Sequence, residues 1–116
     1  MFEFPKNIDS LIAQAEEEHL YFKLIEQINK DFALANEAIA IPLDIFSFEL
    51  QHLVKEKIYK LLQYKFAEYL NLLYIIDVSE EQIKKLDGSD LVQLAEQVTF
   101  LILKREWQKV WFRNKY

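Results

Sequence analysis

The sequence predicts an all-α fold, an irregular four-helix bundle with one long central helix, built as a single domain over residues 1–116. Three observations lead there. The chain holds one Gly and two Pro, so the strong backbone breakers are confined to Pro5, Pro42 and Gly88. Apolar residues recur at spacings of three and four over most of its length. Polar residues suited to opening a helix stand just ahead of these periodic runs.

The first helix is expected to start at Asp9 and run to about Asn29, with Leu11, Ala15, Phe22 and Ile25 on one side. Glu18 projects into that stripe and therefore needs a cation or a hydrogen-bond donor. Residues 30–41 are weak helix formers, and Pro42 biases Ile41 toward extended backbone, so this stretch reads as a connection with at most a short helical turn. The second helix is expected from Asp44 to Asp77, with Leu43 and Phe48 at the positions of a hydrophobic staple. At 1.5 Å rise per residue that is a rod of about 50 Å, which must either kink, near residues 62–70, or project. Ser79-Glu80-Glu81-Gln82 fits a capping box and opens a short helix that Asp87-Gly88 closes. Ser89 or Asp90 then caps a last helix running to about Arg113.

Composition narrows the chemistry. Seventeen Leu, twelve Ile and nine Phe supply enough bulk for an ordered core. The absence of Cys removes disulfides and thiolate chemistry and favours a reducing, cytoplasmic setting. The first residues lack a basic stretch followed by an apolar run, so no signal peptide is read there. The longest charge-free stretch, Tyr69 to Ile76, is far short of the roughly 20 residues of a spanning helix. Lys outnumbers Arg twelve to two, which suits an AT-rich, bacterial genome. One Gly cannot build a phosphate-cradling loop, and no Ser sits between glycines as in a nucleophile elbow. No enzyme, cofactor or small-molecule substrate is therefore predicted. A pI near 5 without a basic stripe outside the C-terminus argues against nucleic acid as a partner.

Two features point to association. Along the second helix Phe46, Leu50, Leu53, Val54, Ile58 and Leu61 make a core-facing stripe, and nearly opposite lies a second one. Phe48, Tyr59, Leu62, Phe66 and Leu73 form that second stripe, with His52 and Lys55 interrupting it, and are the candidate interface of a homo-oligomer or a protein complex. The last helix changes face part-way: Leu91, Leu94, Ala95, Val98 and Ile102 give way to Phe100, Leu103, Trp107, Val110 and Trp111. Arg105, Lys109 and Arg113 form a line opposite the second set, the layout of a basic amphipathic helix that faces an anion. Residues 104–116 carry net +4 and residues 1–103 net −9. The alternative is that these bases meet water and the chain's own excess acids, and exchanging Arg105 and Lys109 for Glu is expected to leave stability nearly unchanged.

The two His residues each follow a Glu by three, as Glu16-x-x-His19 and Glu49-x-x-His52. This resembles the metal-ligand motif of ferritin-like bundles, over eight residues only. That family alternates lone-Glu and Glu-x-x-His helices, whereas here the motifs fall on consecutive predicted helices, so solvated surface pairs are expected instead. The functional order is then self-association first, an adaptor or peripheral protein docking its basic, Trp-containing C-terminal helix on an anionic surface second, and a carboxylate-bridged metalloprotein third. A membrane surface is the less favoured form of the second reading.

Overall fold

In a computed structural model describing residues 2–115, the described residues form six α-helices and no strand. Helix α1 (Ile8–Glu17) is capped by Asn7, not Asp9: Asn7 Oδ1 accepts from the Ser10 N–H at 2.8 Å. It does not continue to Asn29. His19 adopts a left-handed φ of 59°, the His19 N–H donates to Glu16 O and the Leu20 N–H to Ala15 O, the pattern of a Schellman turn. Helix α2 (Tyr21–Leu34) follows and carries the chain through residues expected to be a connection. The break re-phases the predicted stripe. Leu11, Ala15 and Ile25 are buried, but Phe22 is turned out to solvent. The cation that Glu18 needs is Lys115, 2.7 Å away.

The same turn recurs twice. Asn36 (φ 63°) ends α2 with N–H bonds from Asn36 to Ala33 O and from Glu37 to Phe32 O. Asp77 (φ 70°) ends a later helix with bonds from Asp77 to Tyr74 O and from Val78 to Leu73 O. Asn, Asp and His are the non-glycine residues that enter this region most readily, so a chain with one Gly uses all three. Gly88 itself does not adopt a positive φ.

The connection after α2 is pinned by side chains. Asn29 brackets Ile41, accepting its N–H at 2.7 Å and donating to its carbonyl at 2.9 Å, and the Tyr21 hydroxyl donates to Ile45 O at 2.7 Å. Ile41 and Ile45 are thereby buried. Glu37, also buried, accepts from Lys65 at 2.8 Å and lies 3.0 Å from Lys57 Nζ. The hydrogen bond from Lys65 is the main reason its carboxyl sits below the usual range, against the opposing effect of burial.

The predicted long rod kinks. Helix α3 (Ser47–Tyr64) has Phe46 as its N-cap residue instead of Asp44, and no staple forms, since Leu43 and Phe48 are both exposed. Lys65 leaves helical geometry (φ −141°, ψ 61°), and α4 (Phe66–Ile76) restarts in a new direction. Unbroken, residues 47–76 would reach about 45 Å, past a body measuring 36 × 27 × 25 Å. The kink instead lets Tyr69, Leu72, Leu73 and Ile76 be buried as α4 packs on α2, α3 and α6. On α3 Leu50, Val54, Ile58 and Leu61 are buried as expected, while Phe46 and Leu53 are exposed.

Ser79 caps the short helix α5 (Glu80–Lys84), its Oγ accepting from the Gln82 N–H. Asp90 opens α6 (Leu91–Lys115), accepting from the N–H groups of Val92 and Gln93. At 25 residues α6 spans the molecule, about 37 Å at the standard rise, and packs against α1, α2, α3 and α4. It, not the segment 44–77, is the long central helix of an irregular bundle. Both of its predicted stripes are largely buried because neighbours surround it. Trp107, fully buried, donates from Nε1 to Gln14 Oε1 of α1 at 3.0 Å. No helix among the described residues is long and apolar enough to cross a membrane.

The left-handed His19 supports a test. His19→Gly should be neutral or stabilising by up to about 1 kcal/mol, whereas a β-branched His19→Val should cost more than about 1 kcal/mol in urea unfolding. A neutral valine variant would contradict the turn.

Candidate docking surface

Arg105, Lys109 and Arg113 share one side of α6, but each has a partner within the chain. Arg105 donates to Asp77 Oδ2 at 2.9 Å and to Gln108 at 3.0 Å, a pair at the surface. Arg113 donates to Gln27 Oε1 of α2 at 2.7 Å. Lys109 points into the bundle, donating to Asp31 Oδ2 of α2 at 2.7 Å, and its Nζ is 3.0 Å from Glu106 Oε1. Gln27 completes the set by donating to Asp31 at 3.0 Å. Lys109 therefore meets this chain's own acids, not an external anion.

Glu106 is the unusual member. It is fully buried, and neither carboxyl oxygen has a well-formed donor, Lys109 lying close but off the hydrogen-bonding angle. Burial, reinforced by the neighbouring Asp31, pushes its carboxyl well above the ordinary range although Lys109 pulls the other way. Burial acts to raise Asp31 too, but bonds from Glu106, Lys109 and Gln27 together hold it below the ordinary range. A proton on Glu106 donated to Asp31 reconciles these facts. It gives the orphaned acid a partner and leaves one carboxylate against one ammonium.

The exposed basic and aromatic surface lies elsewhere on the C-terminal end. Phe2 contacts Phe4, Trp111 and Phe112 with ring centroids 4.9, 5.2 and 5.5 Å apart. Lys104 Nζ stands over the rings of Phe4 and Phe100 at 5.7 and 5.5 Å, and Lys115 Nζ over Trp111 at 5.9 Å. The result is a continuous ladder of rings and ammonium groups along the outer side of α6. Phe4, Phe112 and Lys115 are exposed in it. Sequence reasoning found Phe100 and Trp111 but not Phe2 and Phe4, whose place on α6 is set by tertiary packing alone.

The five predicted interface residues do not form one surface. Phe48 and Phe66 are exposed on opposite sides of the kink, Tyr59 and Leu62 are half-buried against the core, and Leu73 belongs to the core. Restarting the helical phase at Lys65 replaces the predicted set with Phe66, Leu70 and Tyr74, an exposed stripe at spacing four on α4. His19 serves the turn between α1 and α2, while His52 is exposed on α3 with Nε2 3.8 Å from Glu56. Among the described residues no three His, Cys, Asp or Glu side chains gather as a metal cluster. No protein-family model, curated protein or solved structure matches the chain.

The expectation that replacing Arg105 and Lys109 is harmless is overturned for Lys109. Lys109→Met strands a buried carboxylate and should cost about 3–5 kcal/mol in denaturant unfolding, whereas Arg105→Met at the surface should cost less than about 1 kcal/mol. Equal, small effects would contradict the buried network.

The raised Glu106 carboxyl also sets a pH dependence. Its folded form binds a proton that the unfolded chain releases near the ordinary 4.5. Its contribution to stability is therefore full below that value and falls as pH rises toward the folded one. Asp31 has the opposite slope, gaining above its ordinary range and losing stability in acid, but is present in both proteins compared. Thermal unfolding of Glu106→Gln against the parent should show the variant gaining relative stability from pH 4 to pH 7, and a pH-independent difference would refute the assignment.

Proposed function

We propose that this protein works by docking rather than by catalysis, as an adaptor or peripheral protein that seats its C-terminal ring-and-ammonium ladder on an anionic surface. The ladder at the one basic end of an otherwise acidic chain carries this reading. Charge asymmetry orients that end toward negative charge, and exposed rings beside ammonium groups suit the boundary between headgroups and hydrocarbon. The bases concerned are Lys104 and Lys115, the latter shared with Glu18; Arg105, Lys109 and Arg113 act within the fold.

The test is co-sedimentation with vesicles. Binding to phosphatidylserine vesicles should exceed binding to neutral ones and weaken as salt shortens the screening length. At about 1 kcal/mol per base, Lys104→Glu with Lys115→Glu should reduce it by at least about thirtyfold. Equal binding to both vesicle types, or an unaffected variant, would count against the proposal.

Self-association is the second reading, favoured by the exposed stripe of Phe66, Leu70 and Tyr74. Two copies of α4 crossing antiparallel about Leu70 would set each Phe66 against the other's Tyr74. Native mass spectrometry should then show a dimer that Leu70→Glu converts to a folded monomer. A parent protein that stays monomeric at high micromolar concentration excludes it.

A further inference from the structure

Between α3 and the first half of α6, beside the start of α1, the surface opens into a cavity of about 370 Å³, near the lower end of the range for small-molecule sites. Its wall holds both signs of charge. Lys55 of α3 donates to Glu96 Oε1 of α6 at 2.8 Å, and both side chains remain partly open to solvent. Gln51 and His52 line the same space one turn away on α3. Thr99, one turn beyond Glu96, is 1% exposed, and its hydroxyl has no hydrogen-bond partner. An apolar edge is supplied by Phe48, whose ring is exposed, and Ile8.

This combination selects a ligand chemistry. A simple anion would be repelled by Glu96, and a simple cation by Lys55. An apolar molecule would strip water from the ion pair and leave the Thr99 hydroxyl unanswered. A molecule with adjacent positive and negative groups can lie antiparallel to the Lys55–Glu96 pair and satisfy both, and an apolar substituent can cover Phe48 and Ile8. We propose that this cavity binds a free α-amino acid with an apolar or aromatic side chain. Its carboxylate meets Lys55, with His52 adding a second donor, and its ammonium meets Glu96. Gln51 and the Thr99 hydroxyl supply the remaining polar partners. The site shares no residue with the ring-and-ammonium ladder and stands independently of the docking proposal.

Calorimetric titration and ligand-observed NMR of the full chain test this with L-phenylalanine, 3-phenylpropanoate, which lacks the ammonium, and 2-phenylethylamine, which lacks the carboxylate. L-phenylalanine should bind saturably and each single-charge analogue at least about tenfold more weakly, the loss expected for one charge-assisted contact. Glu96→Gln, at an exposed position where folding is checked by circular dichroism, should weaken L-phenylalanine by a similar factor. Thr99→Val keeps the side-chain shape and removes the unpartnered hydroxyl, so it should weaken binding while leaving the melting temperature unchanged or raised. Absence of saturable binding up to about 10 mM, equal binding of either analogue, or unaltered affinity in folded Glu96→Gln would each overturn the proposal.

Discussion

The joint between α2 and α6 depends on the meeting of Asp31, Lys109 and Glu106 inside the bundle. All three side chains are largely withdrawn from water. Two carboxylates against one ammonium would leave an excess negative charge where solvation cannot compensate it. Burial and the neighbouring Asp31 drive the Glu106 carboxyl toward its protonated form, in which it would remove that excess and give Asp31 a further donor. Gln27 carries the network outward to Arg113, so Asp31 and Gln27 of α2 and Lys109 and Arg113 of α6 lock in one register. The basic line on the last helix is thereby largely structural. What remains for a partner is the opposite, ring-bearing side, where the N-terminal Phe2 and Phe4 lie against the last turns of α6.

Much of the fold was legible where a local signal has a local cause. Ser79 and Asp90 cap their helices because a short acceptor side chain ahead of free N–H groups needs nothing distant to act. The helix ends at His19 and Asn36 carry neither Gly nor Pro, and are legible only from the tolerance of these polar residues for left-handed geometry. The kink at Lys65 falls within the stretch where the sequence leaves a kink open, residues 62–70. Nothing near Lys65 breaks a helix. Glu37, distant in sequence, holds Lys57 and Lys65 on either side of the α3 end, and the burial of Tyr69, Leu72 and Ile76 rewards the turn.

The candidate surfaces were less legible for a related reason. A helical projection tells which residues share a side but not what covers it. Lys109 looked solvated because its line is basic, yet α2 brings Asp31 to it; Leu73 looked like interface, yet the kink carries it into the core. The ring-and-ammonium ladder joins residues nearly a whole chain apart, and the cavity at Thr99 is walled by three helices. Neither leaves a periodic trace in sequence. The Glu-x-x-His spacings did leave one, but His19 serves a turn and His52 a solvated side of α3.

The most direct measurement of the central joint is a carbon-detected NMR titration that follows each side-chain carboxyl of the folded protein. The Glu106 carboxyl should stay protonated well above 4.5 while Asp31 ionises below 3.8. A Glu106 signal that titrates with the exposed glutamates would contradict it, and with it the assignment of Lys109 to the interior of the fold.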